Sequence, residues 1–88
     1  MNITKKEYGV YIEPLVDKCI TVSKSLSEPE FAIIGDTLLQ IAQNEFNSDN
    51  LLNILHSITP LKNEILKKYE LTELTTKAKE FLSIKKSS

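Results

Sequence analysis

Cys19 and His56 carry the side chains most often used for covalent or metal chemistry, and each is the only residue of its type in the chain. A cysteine nucleophile needs a neighbouring base, and His56 is the one histidine that could serve. A metal site needs further ligands, yet no Cys, Asp or Glu lies three or four residues from His56. Cys19 also shares an apolar stripe with Leu15 and Val22, which indicates a buried, inert thiol. We therefore expect no enzyme, no metal and no cofactor.

Two pairs of carboxylates, Glu28/Glu30 and Glu70/Glu73, have the spacing from which acid–base catalysis could be built. Each pair flanks a predicted helix start, where the helix dipole favours negative charge. We therefore interpret both pairs as helix-capping residues. The two glycines, Gly9 and Gly35, form no phosphate-binding loop, and we expect no small-molecule substrate.

The charges are unevenly distributed, although the net charge is only −1. Positions 1–24 hold four Lys and three acids, positions 25–61 hold five acids and no Lys, and positions 62–88 hold seven Lys and four acids. The chain has no Arg, which together with the acidic middle is atypical of a nucleic-acid-binding protein. The basic end could lie against an anionic membrane surface or be a solvated helix face. Its lysines are Lys62, Lys67, Lys68, Lys77, Lys79, Lys85 and Lys86.

The chain has no apolar run long enough to span a membrane, and its start lacks the apolar segment of a signal peptide. A single cysteine fits a reducing compartment. We expect one domain over 1–88 in the cytoplasm, with a peripheral position at the inner face of the membrane left open.

The first predicted helix covers about 5–26. Thr4 and Glu7 have the spacing of a capping box, which places a helix start at Lys5. Pro14 interrupts the apolar stripe that follows, because proline has no amide hydrogen and its ring crowds the preceding turn. Either the helix is kinked at Pro14, or a regular helix starts near Pro14 after a loosely ordered segment. We favour the second alternative.

The second predicted helix covers 28–46. Ser27 and Glu30 form a capping box around a proline in the first turn, so both are structural residues. Gly35 inside this helix is also structural, since a glycine there usually permits a close helix crossing. The predicted core side comprises Phe31, Ile34, Leu38, Ile41, Ala42 and Phe46.

The third predicted helix covers 49–70 and the fourth covers 73–83. The apolar stripe of the third helix continues in phase through Pro60, which predicts one helix kinked at this structural proline. Thr72 is predicted to cap the fourth helix, and the last four residues, 85–88, to be frayed. The fold class is all-α.

Three short segments of the C-terminal half point to a family. They are Leu51-Leu52-Asn53 with Leu55, then Thr59-Pro60-Leu61, and then Leu71-Thr72-Glu73-Leu74. In this order the segments resemble the immunity proteins of class II bacteriocins, the enterocin A and lactococcin A immunity group. The first half of the chain matches only in its helix pattern and acidity, and the chain is short, with almost no tail after the last helix.

The resemblance implies an antiparallel four-helix bundle in the cytosol of a Gram-positive bacteriocin producer or its neighbour. Such a protein gives resistance to a pediocin-like bacteriocin by binding the bacteriocin-engaged permease of the mannose phosphotransferase system from the cytosolic side. The C-terminal half largely decides which bacteriocin is neutralised. On this chain the implied partner-binding residues are Glu70, Thr72, Lys77, Lys79, Lys85 and Lys86.

A second function class remains open from the sequence. The acidic second helix could bind another soluble protein, which would make the chain a small helical adaptor or regulatory module. Neither function requires catalysis.

Overall fold

The computed structural model describes residues 2–87, and within them the chain is entirely helical, as predicted. Five helices follow one another. α1 covers 5–23 and consists of α-helical Lys5–Glu7, a π-helical turn Tyr8–Ile12 and α-helical Glu13–Ser23. α2 covers 28–43 and consists of α-helical Glu28–Glu30, a π-helical turn Phe31–Gly35 and α-helical Asp36–Gln43. The other three helices are α3 Ser48–His56, α4 Pro60–Lys68 and α5 Thr72–Ser87.

α1 begins at Lys5 and passes through Pro14. Its regular α-helical part does start near Pro14, at Glu13, but the segment before it is helical and not loosely ordered, so that part of the prediction is wrong. The predicted capping box is confirmed: the Glu7 N–H donates to the Thr4 hydroxyl at 3.1 Å, and the Thr4 N–H donates to the Glu7 carboxylate at 3.0 Å. The π-helical turn ends just before Pro14, and in it the Glu13 N–H donates to the Tyr8 carbonyl. The wider turn accommodates the proline without breaking the helix. α1 ends at Ser23, three residues before the predicted boundary.

α2 begins at Glu28 with the predicted capping box of Ser27 and Glu30, which is confirmed. It ends at Gln43, however, and not at 46. Asn44 closes the helix because its side-chain amide donates to the Gln40 carbonyl at 2.8 Å, and such local side-chain bonds compete with further helix. Phe46 therefore lies beyond α2 with 80% of its surface exposed, so its predicted core position is wrong.

The buried Gly35 accommodates an aromatic ring of its own helix. A Cβ atom at this position would lie 2.7 Å from the Phe31 ring, so any larger residue would displace that ring. The nearest atoms to this position belong to Phe31, and α4 packs on the π-helical turn that contains Gly35. Phe31 itself is 47% exposed, and its predicted core position is also wrong.

The predicted kinked helix over 49–70 is two helices, α3 and α4, so the described chain has five helices where four were predicted. α3 ends at His56, and Ser57, Ile58 and Thr59 connect it to α4. Thr59 is extended (φ −77°, ψ 163°), as the residue before a proline prefers to be, and its hydroxyl accepts from the Lys62 N–H. Pro60 is thus the first residue of a new helix, where its missing N–H costs nothing.

α4 and α5 are joined by a tight reversal at Glu70, the one residue other than glycine with a positive φ (60°) in 2–87. The Leu71 N–H donates to the Leu66 carbonyl at 2.8 Å, and the Glu70 N–H donates to the Lys67 carbonyl at 3.2 Å. This is a Schellman motif, with both leucines buried against the core. α5 begins at Thr72, one residue earlier than predicted, and continues through 85–87, which were predicted to be frayed; Ser88 lies outside the described residues.

A continuous apolar core fills the space between the helices. The second half of α1 packs on the second half of α2, α5 packs on α3 and α1, and α4 packs on α5 and on the π-helical turn of α2. Cys19 is fully buried in this core, as predicted. The buried apolar residues are Ile12, Leu15, Val16, Cys19, Val22, Ile34, Leu38, Ile41, Leu51, Leu52, Leu55, Ile65, Leu66, Leu71, Ala78, Phe81 and Leu82.

Candidate functional site

A groove opens between the end of α3, α4 and the start of α5, and we call it the α3–α5 groove. Its volume is about 270 Å³. The break at Ser57–Thr59 contributes to it, because the connection places Ile58 between the two helices in the groove wall. The lining residues are Leu55, His56, Ile58, Asn63, Glu64, Lys67, Thr72, Thr75, Thr76 and Lys79.

The seven lysines of the basic end fall into two sets. Four have a partner in the described chain: Lys62 donates to the Thr37 hydroxyl at 2.8 Å, and Lys68, Lys77 and Lys85 pair with Glu30, Glu73 and Glu7 at 2.6, 3.2 and 2.9 Å. Within residues 2–87, the side chains of Lys67, Lys79 and Lys86 make no hydrogen bond or ion pair. Two of these three, Lys67 and Lys79, line the α3–α5 groove.

The predicted partner-binding residues do not form one surface. Thr72 and Lys79 lie together in the α3–α5 groove, and Glu70 lies in the reversal just before Thr72. Lys77 is only two residues from Lys79, but residues two positions apart in an α-helix point to nearly opposite sides of it. It pairs with Glu73 and lines a different groove.

Lys85 and Lys86 lie in the last turn of α5, away from the α3–α5 groove. Lys85 connects α5 to the start of α1, because its ammonium pairs with Glu7 and lies 6.0 Å from the centre of the Phe81 ring. Lys86 is exposed. The lysines of α5 therefore do not form a single basic face.

The groove that contains Lys77 is largely apolar. Tyr11 of α1 stacks on Phe81 of α5 with ring centres 4.3 Å apart and planes inclined by 7°. Val10 and Ile84 flank the stack with 56% and 68% of their surfaces exposed. This groove lies between α1 and α5 and has a volume of about 440 Å³.

Glu30 connects α2 to α4. Its carboxylate accepts hydrogen bonds from the Lys68 ammonium, the Tyr69 hydroxyl and the Ser27 backbone N–H. These donors, Lys68 first, lower the pKa of Glu30 to about 2 because each stabilises the charged form. Glu30 is therefore more than a capping residue: it holds the C-terminal end of α4 against the start of α2.

Tyr8 forms a comparable connection at the other end of α2. Its hydroxyl donates to the Glu45 carboxylate at 2.5 Å, and its ring stacks on Phe46 with centres 5.3 Å apart. Burial, followed by the Glu45 carboxylate, raises the pKa of Tyr8 to about 12. The exposed Phe46 thus has an aromatic partner outside the core.

Cys19 and His56 are not arranged for catalysis. Burial raises the pKa of the Cys19 thiol to about 12, which keeps it protonated, whereas His56 is exposed in the α3–α5 groove. Within residues 2–87, no three His, Cys, Asp or Glu side chains are grouped as metal ligands would be. None of the described helices has the length and apolarity needed to cross a membrane.

Sequence reasoning missed the α3–α5 groove because it interpreted Pro60 as a kink. The missed signal was Thr59-Pro60 itself, since Thr followed by Pro is typical of an N-cap and first helical residue. The pairing of individual lysines has no comparable signal, because their partners Glu7, Glu30 and Thr37 lie far away in the sequence.

Comparison of the chain with protein-family models, with curated protein sequences and with solved structures finds no match.

Proposed function

We propose that this chain is a bacteriocin immunity protein that protects its cell from a class II, pediocin-like bacteriocin. It acts in the cytoplasm, at the inner face of the membrane, by binding the bacteriocin-engaged permease of the mannose phosphotransferase system. The mechanism is stoichiometric binding without catalysis. In this proposal α3 and α4 together take the place of one helix in an antiparallel bundle of four.

The observation that carries the proposal is the location of the α3–α5 groove. Two residues of the segments that resemble the immunity group, Leu55 and Thr72, line this groove. The groove also contains Lys67 and Lys79, whose charges are not used within the described fold. Two of the three segments that carry the resemblance therefore contribute to a groove with charges available to a partner.

The first experiment expresses the chain in a bacteriocin-sensitive lactic acid bacterium and measures survival against a panel of class II bacteriocins. Protection against one or a few members supports the proposal, whereas sensitivity to a broad panel, with the protein folded, contradicts it. In the same assay, Lys77→Glu combined with Lys79→Glu should abolish protection and leave helicity and Tm nearly unchanged. Full protection by the double variant would exclude a contact through these lysines.

A small helical adaptor is the second candidate function. The observation in its favour is that Phe31 and Leu39 of the acidic helix α2 are 47% and 40% exposed. An adaptor would retain a soluble partner in a pull-down from the source cell and give no protection in the survival assay. Phe31→Ser combined with Leu39→Ser should then release that partner.

A further inference from the structure

The α3–α5 groove combines two unpaired cations that come from different helices. Lys67 belongs to α4 and Lys79 to α5, and the fold places both in the lining of one groove although 12 positions separate them in the sequence. Four of the other five lysines of the basic end have a partner, as Lys68 has in Glu30, and the fifth, Lys86, lies outside the groove. The two groove lysines are therefore available to a negative group from outside the described chain.

The remaining lining distinguishes between anions. Asn63, Thr72 and Thr76 offer amide and hydroxyl groups, and the half-buried Ile58 offers apolar surface. Glu64 also lines the groove, and its carboxylate would repel a small, highly charged ion such as phosphate. A peptide suits this mixture better, because its backbone N–H groups can donate to Glu64 while its acidic side chains meet the lysines.

We infer that the α3–α5 groove binds an acidic peptide segment of a partner protein. Carboxylates of the segment pair with Lys67 and Lys79, and an apolar side chain of the segment packs on Ile58. The inference rests on the proposed function as a binding protein, and it names the chemistry of the segment that is bound.

The test is a titration of the full-length, ¹⁵N-labelled chain, followed by the backbone amide signals. The probe is the blocked peptide acetyl-Glu-Glu-Leu-Glu-Glu-amide. The comparison probes are the same peptide with Gln in place of Glu, and inorganic phosphate. We expect saturable shifts of the Asn63, Thr72, Thr76 and Lys79 amides with the acidic peptide, and binding at least tenfold weaker with either comparison probe.

Two variants and a matched control locate the site. Lys67→Glu combined with Lys79→Glu should weaken binding of the acidic peptide at least tenfold. Lys6→Glu combined with Lys24→Glu makes the same charge change at two exposed lysines outside the groove, and should leave binding within twofold of the wild type. Thr76→Trp fills the groove and retains both lysines, so it should also abolish the shifts.

The inference is overturned if the acidic peptide gives no saturable shifts, if both double variants weaken binding equally, or if phosphate moves the same amides as tightly as the peptide. Combination with the survival assay separates the two proposals. Peptide binding without protection contradicts the proposed function and supports the groove assignment. Protection by a wild-type chain that gives no saturable shifts with the acidic peptide supports the proposed function and contradicts the groove assignment.

Discussion

At the residue scale, Glu30 makes the stability of the fold depend on pH. The pKa of Glu30 is about 2 in the folded chain and has its ordinary value of 4.5 when the chain unfolds. The unfolded chain therefore binds a proton at higher pH than the folded one, and protonation favours unfolding. The contribution of Glu30 is complete above pH 4.5 and is lost as the pH falls towards 2. Glu7, whose pKa is lowered chiefly by the Thr4 N–H, acts in the same direction.

The corresponding prediction concerns Glu30→Gln. Glutamine keeps the capping geometry but carries no charge for Lys68, so the variant should have a lower Tm than wild type at pH 7. The two Tm values should converge as the pH falls from 5 to 2.5, as measured by thermal unfolding in circular dichroism. Glu28→Gln, at an exposed acid in the same turn, is the control. Parallel curves for wild type and Glu30→Gln would contradict the assignment.

Glu70 is the residue with backbone strain, because a positive φ brings its Cβ close to the following carbonyl oxygen. Glu70→Gly should raise the free energy of unfolding by up to about 1 kcal/mol, since relief of strain outweighs the greater freedom of glycine in the unfolded chain. Glu70→Ala keeps the strain and serves as the control. Urea unfolding measures both, and a glycine variant less stable than the alanine variant would contradict this account. A loss of protection in a stabilised Glu70→Gly variant would assign the side chain to partner binding.

At the element scale, the sequence predicted the helix starts well and the helix ends and breaks poorly. The starts at Lys5 and Glu28 follow from capping boxes, which are local chemistry. The π-helical turns before Pro14 and around Gly35 are invisible to a fixed helical period, because a π turn inserts an extra residue. The lining of the α3–α5 groove depends on how three helices meet, and only Thr72 and Lys79 among the predicted contacts lie in it.

The Thr59-Pro60 junction provides the prediction at this scale. Because Pro60 occupies the first position of α4, Pro60→Ala should lower the free energy of unfolding by about 0.4–1 kcal/mol. In the interior of a kinked helix the same change would instead raise the free energy of unfolding by up to about 3 kcal/mol, because it would remove the cost of the proline. Thr59→Ala should lower the free energy of unfolding by about 0.5–1 kcal/mol because the N-cap hydrogen bond is lost, and Thr59→Ser should retain the wild-type stability. Urea unfolding decides, and marked stabilisation by Pro60→Ala would restore the kinked-helix interpretation.

At the scale of the whole molecule, Cys19 reports on opening of the core. The thiol is fully buried with a pKa of about 12, so it reacts only when the chain opens. At pH 8, its reaction with a disulfide reagent should be at least about a thousandfold slower than in denaturant, as a net stability of about 5 kcal/mol requires. The unfolded thiol ionises near pH 9, so stability should also fall as the pH rises above that value.

Leu66→Ala tests this link between labelling and global stability. Leu66 is fully buried, and its truncation should lower the free energy of unfolding by about 2–5 kcal/mol. The labelling rate of Cys19 should rise by the factor that corresponds to this loss of stability. Leu61→Ala, at a leucine that is 60% exposed, should leave the rate nearly unchanged. Rapid labelling of the wild type would show that α1 opens without the rest of the core.

The fluorescence of the three tyrosines reports on the contacts between helices. The chain has no tryptophan, so its ultraviolet emission comes from Tyr8, Tyr11 and Tyr69 alone. Tyr8 and Tyr69 donate to carboxylates, which quench the excited phenol, whereas Tyr11 stacks on a phenylalanine. Replacing the tyrosines by phenylalanine one at a time would therefore divide the fluorescence into signals from the α1–α5 contact and from the two ends of α2.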